Sequence, residues 1–385
     1  MTVTIEEHLR SIVGNEHVRP ALPIDSNHAI QPKYFVAPGS EKELAAVLRA
    51  SNEMGLAVIP RGGGTKLGWG NPPARADVIL STARLNKIIE HVWSDLTVTV
   101  EAGCTLQRLQ QALALHGQRL ALDPLWPAQA TIGGVLSTND SGALRLRFGA
   151  LRDLIIGVTI ALPDGTLASS GGKVVKNVAG YDLPKLITGA LGTLGVITRA
   201  VFRLHPLPRN SKTLSLSGCT LEETQRLILA VQDSKLANTS LQARFAHAAE
   251  PGVDILFEGT EAGIAAQESQ WRELAGASSV SPAPHAIWNV SQELWSSSEA
   301  SALVKFSVLP ASIGKAMESI HASLALLRSE FDRDSASLVL LHRPSQTPQF
   351  DAWGAPGDSL PLMRAVKNQL DPKNTLNPGR FLGGI

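Results

Sequence analysis

The hydrophobic positions in the first half of the chain alternate between helical and strand spacing. Leu44, Val47 and Leu48 recur at the spacing of one helical face, which predicts a helix there. Ser40 precedes this helix and Glu43 follows three residues later, as in a capping box. We also predict strands at 56–59, 78–81, 96–100, 154–162 and 196–204, a helix at 106–115, and a hairpin turn at 163–166. This mixture of elements favours the α+β class.

The middle of the chain has the pattern of a separate small domain. Thr220 and Glu223 form a second capping box. Strands are predicted at 241–245, 255–257, 303–309 and 337–341, helices at 220–234, 262–274 and 314–327, and a loop at 275–284. Two βαβ-like passages in one small domain suggest a ferredoxin-like antiparallel sheet with helices on one face. We therefore expect domains at 1–210 and 211–350, with 351–385 returning to the first.

The composition argues against several classes of function. The chain has 385 residues, 44% of them hydrophobic and 18% charged, with a formal net charge of +1. This balance argues against binding nucleic acid or a membrane surface through bulk electrostatics. The two cysteines, Cys104 and Cys219, are too few for a disulfide framework or a thiolate metal site. With no apolar run of membrane-spanning length, we expect a soluble cytoplasmic protein.

A glycine-rich stretch at 60–70 (PRGGGTKLGWG) follows the predicted strand at 56–59. Three consecutive glycines leave the backbone bare, so successive N–H groups can face one anionic ligand such as a pyrophosphate. Arg61 and Lys66 add positive charge on either side. The glycine spacing fits neither the dinucleotide fingerprint nor the Walker loop, and Gly and Pro at 67–76 argue against a following helix. The alternative interpretation is an ordinary glycine-rich turn.

A second stretch at 130–142 (ATIGGVLSTNDSG) concentrates small and hydroxyl-bearing residues. With so little side-chain bulk, a rigid ligand could lie against the backbone. The alternative interpretation is a Gly/Ser-rich surface loop.

Four motifs in order carry a family resemblance. They are RGGGT at 61–65, ATIGG at 130–134, GYDL at 180–183 and GTLGVI at 192–197. Together they resemble the vanillyl-alcohol-oxidase (VAO) or PCMH-type FAD-binding family. The ending LDPKNTLNPGRF at 370–381 resembles that family's closing segment, and the variant reaching Ile385 is similar to the FAD-binding subunits of bacterial glycolate oxidases.

The resemblance implies a two-subdomain FAD-binding domain and bound FAD. Covalent members often carry His where this chain has Gly64-Thr65, so the cofactor is expected to be non-covalent. The residues implied to bind it are Arg61, Gly62, Gly63, Gly64, Thr65, Lys66, Pro124, Ala130, Thr131, Gly133, Gly134, Ser137, Thr138, Ser141, Gly142, Val196, Ile197 and Asn377.

The catalytic residues are not predicted. Oxidising relatives usually have a His-x-Gly-Asp-Gly-Asn-x-His motif in the cap, and none of the ten histidines here lies in such a pattern or has metal-ligand spacing. Arg343 at a predicted strand end could clamp a carboxylate, although a surface arginine is the simpler interpretation.

Three hypotheses remain open. The first is a glycolate oxidase subunit that works with a catalytic FAD-binding D-type subunit and an iron–sulfur subunit, through which any membrane contact is made. The second is a self-sufficient FAD-dependent 2-hydroxy-acid dehydrogenase. The third is a non-catalytic scaffold subunit.

Overall fold

The structure is a computed structural model that describes residues 4–26, 30–172, 182–244, 250–276, 280–289, 303–318, 336–342 and 351–385. Within these ranges no helix is both long and apolar enough to cross a bilayer.

The first sheet has four strands in the order Val18–Pro20, Tyr34–Val36, Val78–Ser81, Val58–Arg61. The last three are parallel to one another. Helices Ile5–Val13 and Glu41–Glu53 contribute Leu9, Leu44 and Leu48 to its core. Ser40 caps the second helix as predicted, by accepting a hydrogen bond from the Glu43 N–H at 3.2 Å.

The second sheet has five antiparallel strands in the order Ile88–Val92, Thr97–Glu101, Val196–Arg203, Ile155–Ala161, Leu167–Gly171. The predicted turn joins the last two, with Gly165 at φ +83°. Helix Leu106–Ala114 packs into the same core, together with the short helices Arg145–Phe148, Leu151–Leu154 and Leu183–Ile187. Gln118–Arg119 pairs separately with His205–Pro206.

The stretch at 130–142, for which no helix was predicted, contains the helix Ile132–Thr138. Thr131 caps it, and Ile132, Val135 and Leu136 are buried in the core of the second sheet. Gly133 is needed for that packing, since a Cβ there would lie 2.8 Å from the Cβ of Ala102. Tertiary packing thus overrides the low helix propensity of two adjacent glycines.

The cap sheet has four antiparallel strands in the order Ser240–Arg244, Gly252–Gly259, Asn210–Leu216, Ser281–Ala283. With helices Leu221–Asp233 and Glu261–Ala275, it has the βαββαβ order of a ferredoxin-like unit. The prediction of this topology is confirmed, but its strands were partly misassigned, because Ser281–Ala283 lies in the predicted loop. Strands Leu303–Val308 and Ala336–His342 form a separate pair, and helix Ile313–Glu318 packs on Leu221–Asp233.

The closing segment (residues 351–385) lies against the first sheet. Helix Leu360–Leu370 precedes a parallel bridge between Leu376 and Val58. The Val58 N–H donates to the Thr375 carbonyl at 2.8 Å, and the Asn377 N–H donates to the Val58 carbonyl at 3.0 Å. These contacts bring Asn377 next to the strand from which the glycine-rich stretch leaves the sheet.

Candidate cofactor site

An open cleft of about 640 Å³ lies where three elements meet. These are the glycine loop (residues 61–66), helix Ile132–Thr138 and the start of strand Val196–Arg203. Thirteen of the predicted cofactor residues line it: Arg61, Gly62, Gly63, Gly64, Thr65, Lys66, Thr131, Gly133, Gly134, Ser137, Thr138, Val196 and Ile197. The structure therefore brings the first, second and fourth sequence motifs together around one space.

The glycine loop lies so close to residues 129–131 that side chains are excluded. A Cβ on Gly62 would be 2.1 Å from the Thr131 Oγ1, and a Cβ on Gly63 would be 1.8 Å from the Gln129 carbonyl oxygen. Gly64 has φ +77°, which favours glycine. Within the described ranges, the backbone N–H groups of residues 62–66 donate to no protein acceptor. They are the unpaired donors expected in an anion-binding loop.

The two charged residues of the loop differ in their surroundings. Arg61 is half-buried, and its Nε has no hydrogen-bond partner among the described residues. Lys66 is buried, and its ammonium forms an ion pair with Asp140 at 3.1 Å. Burial lowers the pKa of Lys66, and the Asp140 carboxylate opposes that shift. The Lys66 ammonium is thus paired with a protein carboxylate, whereas Arg61 forms no ion pair with any of the residues described.

Arg380 holds the far end of the loop. Its guanidinium is buried and donates to the carbonyl oxygens of Leu67 at 2.8 Å and Lys66 at 3.0 Å. Burial lowers the pKa of Arg380 to about 10. Arg380 thus holds the loop in place through the loop's carbonyl oxygens, which accept its hydrogen bonds. This role was missed in the sequence, where Arg380 was only part of a closing motif.

Asn377 lies beside the cleft and does not line it. Its Nδ2 donates to the Leu191 carbonyl at 2.7 Å, and its buried Oδ1 has no partner among the described residues. A Cβ on Gly192 would come within 3.2 Å of that Nδ2, so glycine allows the approach. Asn377 therefore orients the backbone at residues 191–192, which does line the cleft.

The remaining predicted residues, Pro124, Ala130, Ser141 and Gly142, do not line this cleft. Pro124 and Ala130 are buried behind it. The Gly142 N–H donates to the carboxylate of Asp123 at 3.1 Å. Protein atoms packed around that carboxyl raise the pKa of Asp123 to about 6, although the residue as a whole is exposed to solvent.

Further lining residues were not predicted as cofactor ligands: Pro60, Leu67, Thr82, Leu191, Gly192, Gly195 and Arg380. Gly192 and Gly195 belong to a recognised motif, so only their roles were missed. Thr82 follows a buried strand and carries no sequence signal. The GYDL motif up to Tyr181, and Arg343, lie outside the described residues.

The residues of the cleft fit FAD. The loop amides and the Nε of Arg61, which have no partner in the described part of the chain, suit a pyrophosphate. Val196, Ile197 and Leu191 supply apolar surface for a ring system. Side chains are excluded from Gly62 and Gly63, which keeps the backbone accessible.

Comparisons with known proteins agree with this geometry. Residues 32–171 match the family described as FAD binding domain. D-lactate dehydrogenase of Archaeoglobus fulgidus is 35% identical over 54% of this chain and 47% of its own length. Glycolate oxidase subunit GlcD of Bacillus subtilis is 36% identical over 56% of this chain and 47% of its own length. These matches span about half the length of the curated relatives.

The structural similarity to known proteins covers more of this chain than the sequence similarity does. A structure of p-cresol methylhydroxylase has a TM-score of 0.74 at 16% identity, covering 97% of this chain and 95% of the other. Alkyldihydroxyacetonephosphate synthase has a TM-score of 0.68 at 17% identity, covering 91% of this chain. Residues 32–171 therefore form an FAD binding domain, and FAD is the cofactor of this domain.

Proposed function

We propose that the chain is an FAD-dependent oxidoreductase subunit acting on the CH–OH group of a 2-hydroxy acid. The observation that carries the proposal is the glycine loop, whose N–H groups find no protein acceptor in the described ranges and face a cleft. Relatives named for D-lactate, glycolate and D-2-hydroxyglutarate support the substrate class.

The chain's own residues would hold and enclose the cofactor. The glycine loop and Arg61 would bind the pyrophosphate, and Arg380 would keep the loop in place through its carbonyls. Val196 and Ile197 would exclude water from the adjacent wall. When bound, FAD supplies a hydride acceptor for the carbon that carries the hydroxyl.

The finer proposal is an FAD-binding E subunit of a glycolate oxidase that oxidises glycolate to glyoxylate. The ending at 370–385 and the missing histidine motif support it. The complex would also contain a catalytic D-type flavoprotein and an iron–sulfur subunit. Electrons would pass through FAD to these partner subunits, because two cysteines are too few to hold an iron–sulfur cluster in this chain. Such a complex would act in the cytoplasm, with any attachment to the membrane's inner face made through the partners.

An anaerobic visible spectrum of the purified chain, recorded before and after adding glycolate or D-lactate, tests the proposal. A flavin spectrum that is unchanged by the acid alone but bleaches when the partner subunits are added supports the subunit role. Bleaching without partners would instead favour a self-sufficient dehydrogenase. Absence of flavin, also after incubation with FAD, would leave a scaffold and contradict the proposal.

A further inference from the structure

Part of the wall of the cofactor cleft is a strained turn at residues 190–193. Its two central residues, Leu191 and Gly192, both line the cleft and have φ values of +51° and +69°. A bulky residue such as leucine is rarely found at positive φ, and such strain persists only where the surroundings enforce it. The Gly192 N–H donates to no acceptor in the described part of the chain, so it is available to a cofactor. The contacts that enforce this turn therefore bear on cofactor binding.

Three hydrogen bonds to other parts of the chain hold the turn. The Leu191 N–H donates to the Ser137 carbonyl at 2.8 Å. The Leu191 carbonyl accepts from Nδ2 of Asn377 at 2.7 Å, and the Thr193 carbonyl accepts from the Lys367 ammonium at 2.8 Å. Two of the three donors therefore come from the closing segment.

Lys367 belongs to a buried ion pair whose hydrogen bonds are all made. Besides Thr193, its ammonium donates to Oδ2 of Asp371 at 2.7 Å and to the Leu376 carbonyl at 3.0 Å. Asp371 is also buried and accepts from the N–H groups of Thr375 at 2.9 Å and Leu376 at 2.8 Å. An apolar pair of similar size can stabilise a fold as well as a buried ion pair does. An apolar pair could not, however, donate to the Thr193 carbonyl.

This ion pair lies where the closing segment joins the two sheets that carry the cofactor cleft. Val366 and Leu370 pack against the core of the second sheet, and Leu376 is in the core of the first. The glycine loop follows a strand of the first sheet, and the strained turn precedes the central strand of the second. Lys367 and Asp371 themselves do not line the cleft. Any effect of Lys367 on the cofactor must therefore act through the turn.

We propose that Lys367 is a positioning residue for FAD. Its hydrogen bond to the Thr193 carbonyl keeps the turn at 190–193 in the conformation that binds the cofactor. If the turn is in that conformation in only a fraction of the molecules, the apparent affinity for FAD falls by the same fraction. By reciprocity, bound FAD stabilises the Lys367–Asp371 pair. The inference concerns the cofactor alone and is independent of the substrate.

Two variants that break the same ion pair test the role of the hydrogen bond to Thr193. Lys367→Met removes the donor, whereas Asp371→Asn retains it. Both should lower the melting temperature, but Lys367→Met should weaken FAD binding by about tenfold more than Asp371→Asn, measured by fluorescence titration of the apoprotein well below melting. Asp254→Asn controls for lost stability alone, because Asp254 is a buried cap carboxylate that accepts from Arg244 at 3.0 Å. Equal FAD affinities of the Lys367 and Asp371 variants would overturn the assignment.

Hydrogen exchange of the wild-type chain tests the coupling without any variant. Peptides covering 371–377 report the ion pair, since the N–H groups of Thr375 and Leu376 donate to Asp371. FAD should slow their exchange about tenfold more than that of the cap strand Gly252–Gly259, and Lys367→Met should abolish this excess. Slowing no greater than in the cap strand would overturn the coupling. The FAD content of the wild type is measured separately, so failure here is distinct from failure of the FAD assignment.

Discussion

The Arg380 guanidinium donates to the Leu67 carbonyl at 2.8 Å, across 313 positions of sequence. The same side chain also donates to the carbonyl oxygens of Lys66 and Trp69, and it is buried. A charged donor in such a place is retained only if it satisfies several acceptors at once. The cofactor loop is thus held in place by the closing segment.

Replacing Arg380 with lysine should destabilise the fold and weaken FAD binding. Lysine presents a single nitrogen in place of the planar fork that spans three carbonyls, so buried acceptors lose their donors. We expect a loss of about 2–4 kcal/mol in the free energy of unfolding. Urea denaturation measures it, with Arg364→Lys as control, since Arg364 is exposed and donates to one carbonyl at 3.0 Å. Equal stability of the two variants would contradict this role.

Gly63→Ala should prevent normal FAD binding. The added Cβ would lie 1.8 Å from the Gln129 carbonyl oxygen, and backbone cannot rotate away as a flexible side chain does. The loop must therefore shift, at a cost of about 1–3 kcal/mol. Fluorescence titration of the apoprotein with FAD measures the effect. Gly357→Ala is the matched control because a Cβ there meets nothing within 4 Å; similar FAD affinity of both variants would show that close packing at Gly63 is not required.

Asp140→Asn should be strongly destabilising. It leaves the buried Lys66 ammonium without a counter-charge, for which a loss of about 3–5 kcal/mol is typical. The double variant with Lys66→Met should recover part of this loss. The exposed pair Asp182–Lys185 is the control, so Asp182→Asn should have little effect. A loss no larger than that of Asp182→Asn would show that the Lys66–Asp140 pair is unimportant.

The pKa of Asp123, raised to about 6 from the ordinary 3.8, predicts a pH dependence of stability. Between these values the folded chain binds the proton more tightly than the unfolded chain. The stabilisation is therefore present at low pH and is lost as the pH rises through about 6. The unfolding free energy of the wild type, relative to Asp123→Asn, should fall between about pH 4 and pH 7. A constant difference measured by urea denaturation would exclude the shift.

The sequence correctly predicted the caps and turns whose signals lie in neighbouring residues. The Ser40 cap, the Asp164-Gly165 turn and the absence of a helix after the glycine loop were all correct. The helix Ile132–Thr138 was missed because its stability comes from burying Ile132 and Leu136, which local propensity does not report.

The sequence predicted only those parts of the site that belong to a recognisable motif. Glycine spacing located the loop, but the pairing of Lys66 with Asp140 joins positions 74 residues apart that no pattern connects. Side-chain partners over such separations follow from the folded topology.

The FAD content of the purified chain tests the central claim most directly. After denaturation, the supernatant should contain FAD equimolar with the protein, and the pellet should be colourless because the cofactor is non-covalent. The Gly63→Ala variant should release far less. A wild-type chain that contains no FAD, and that binds none when titrated with it, would contradict the account.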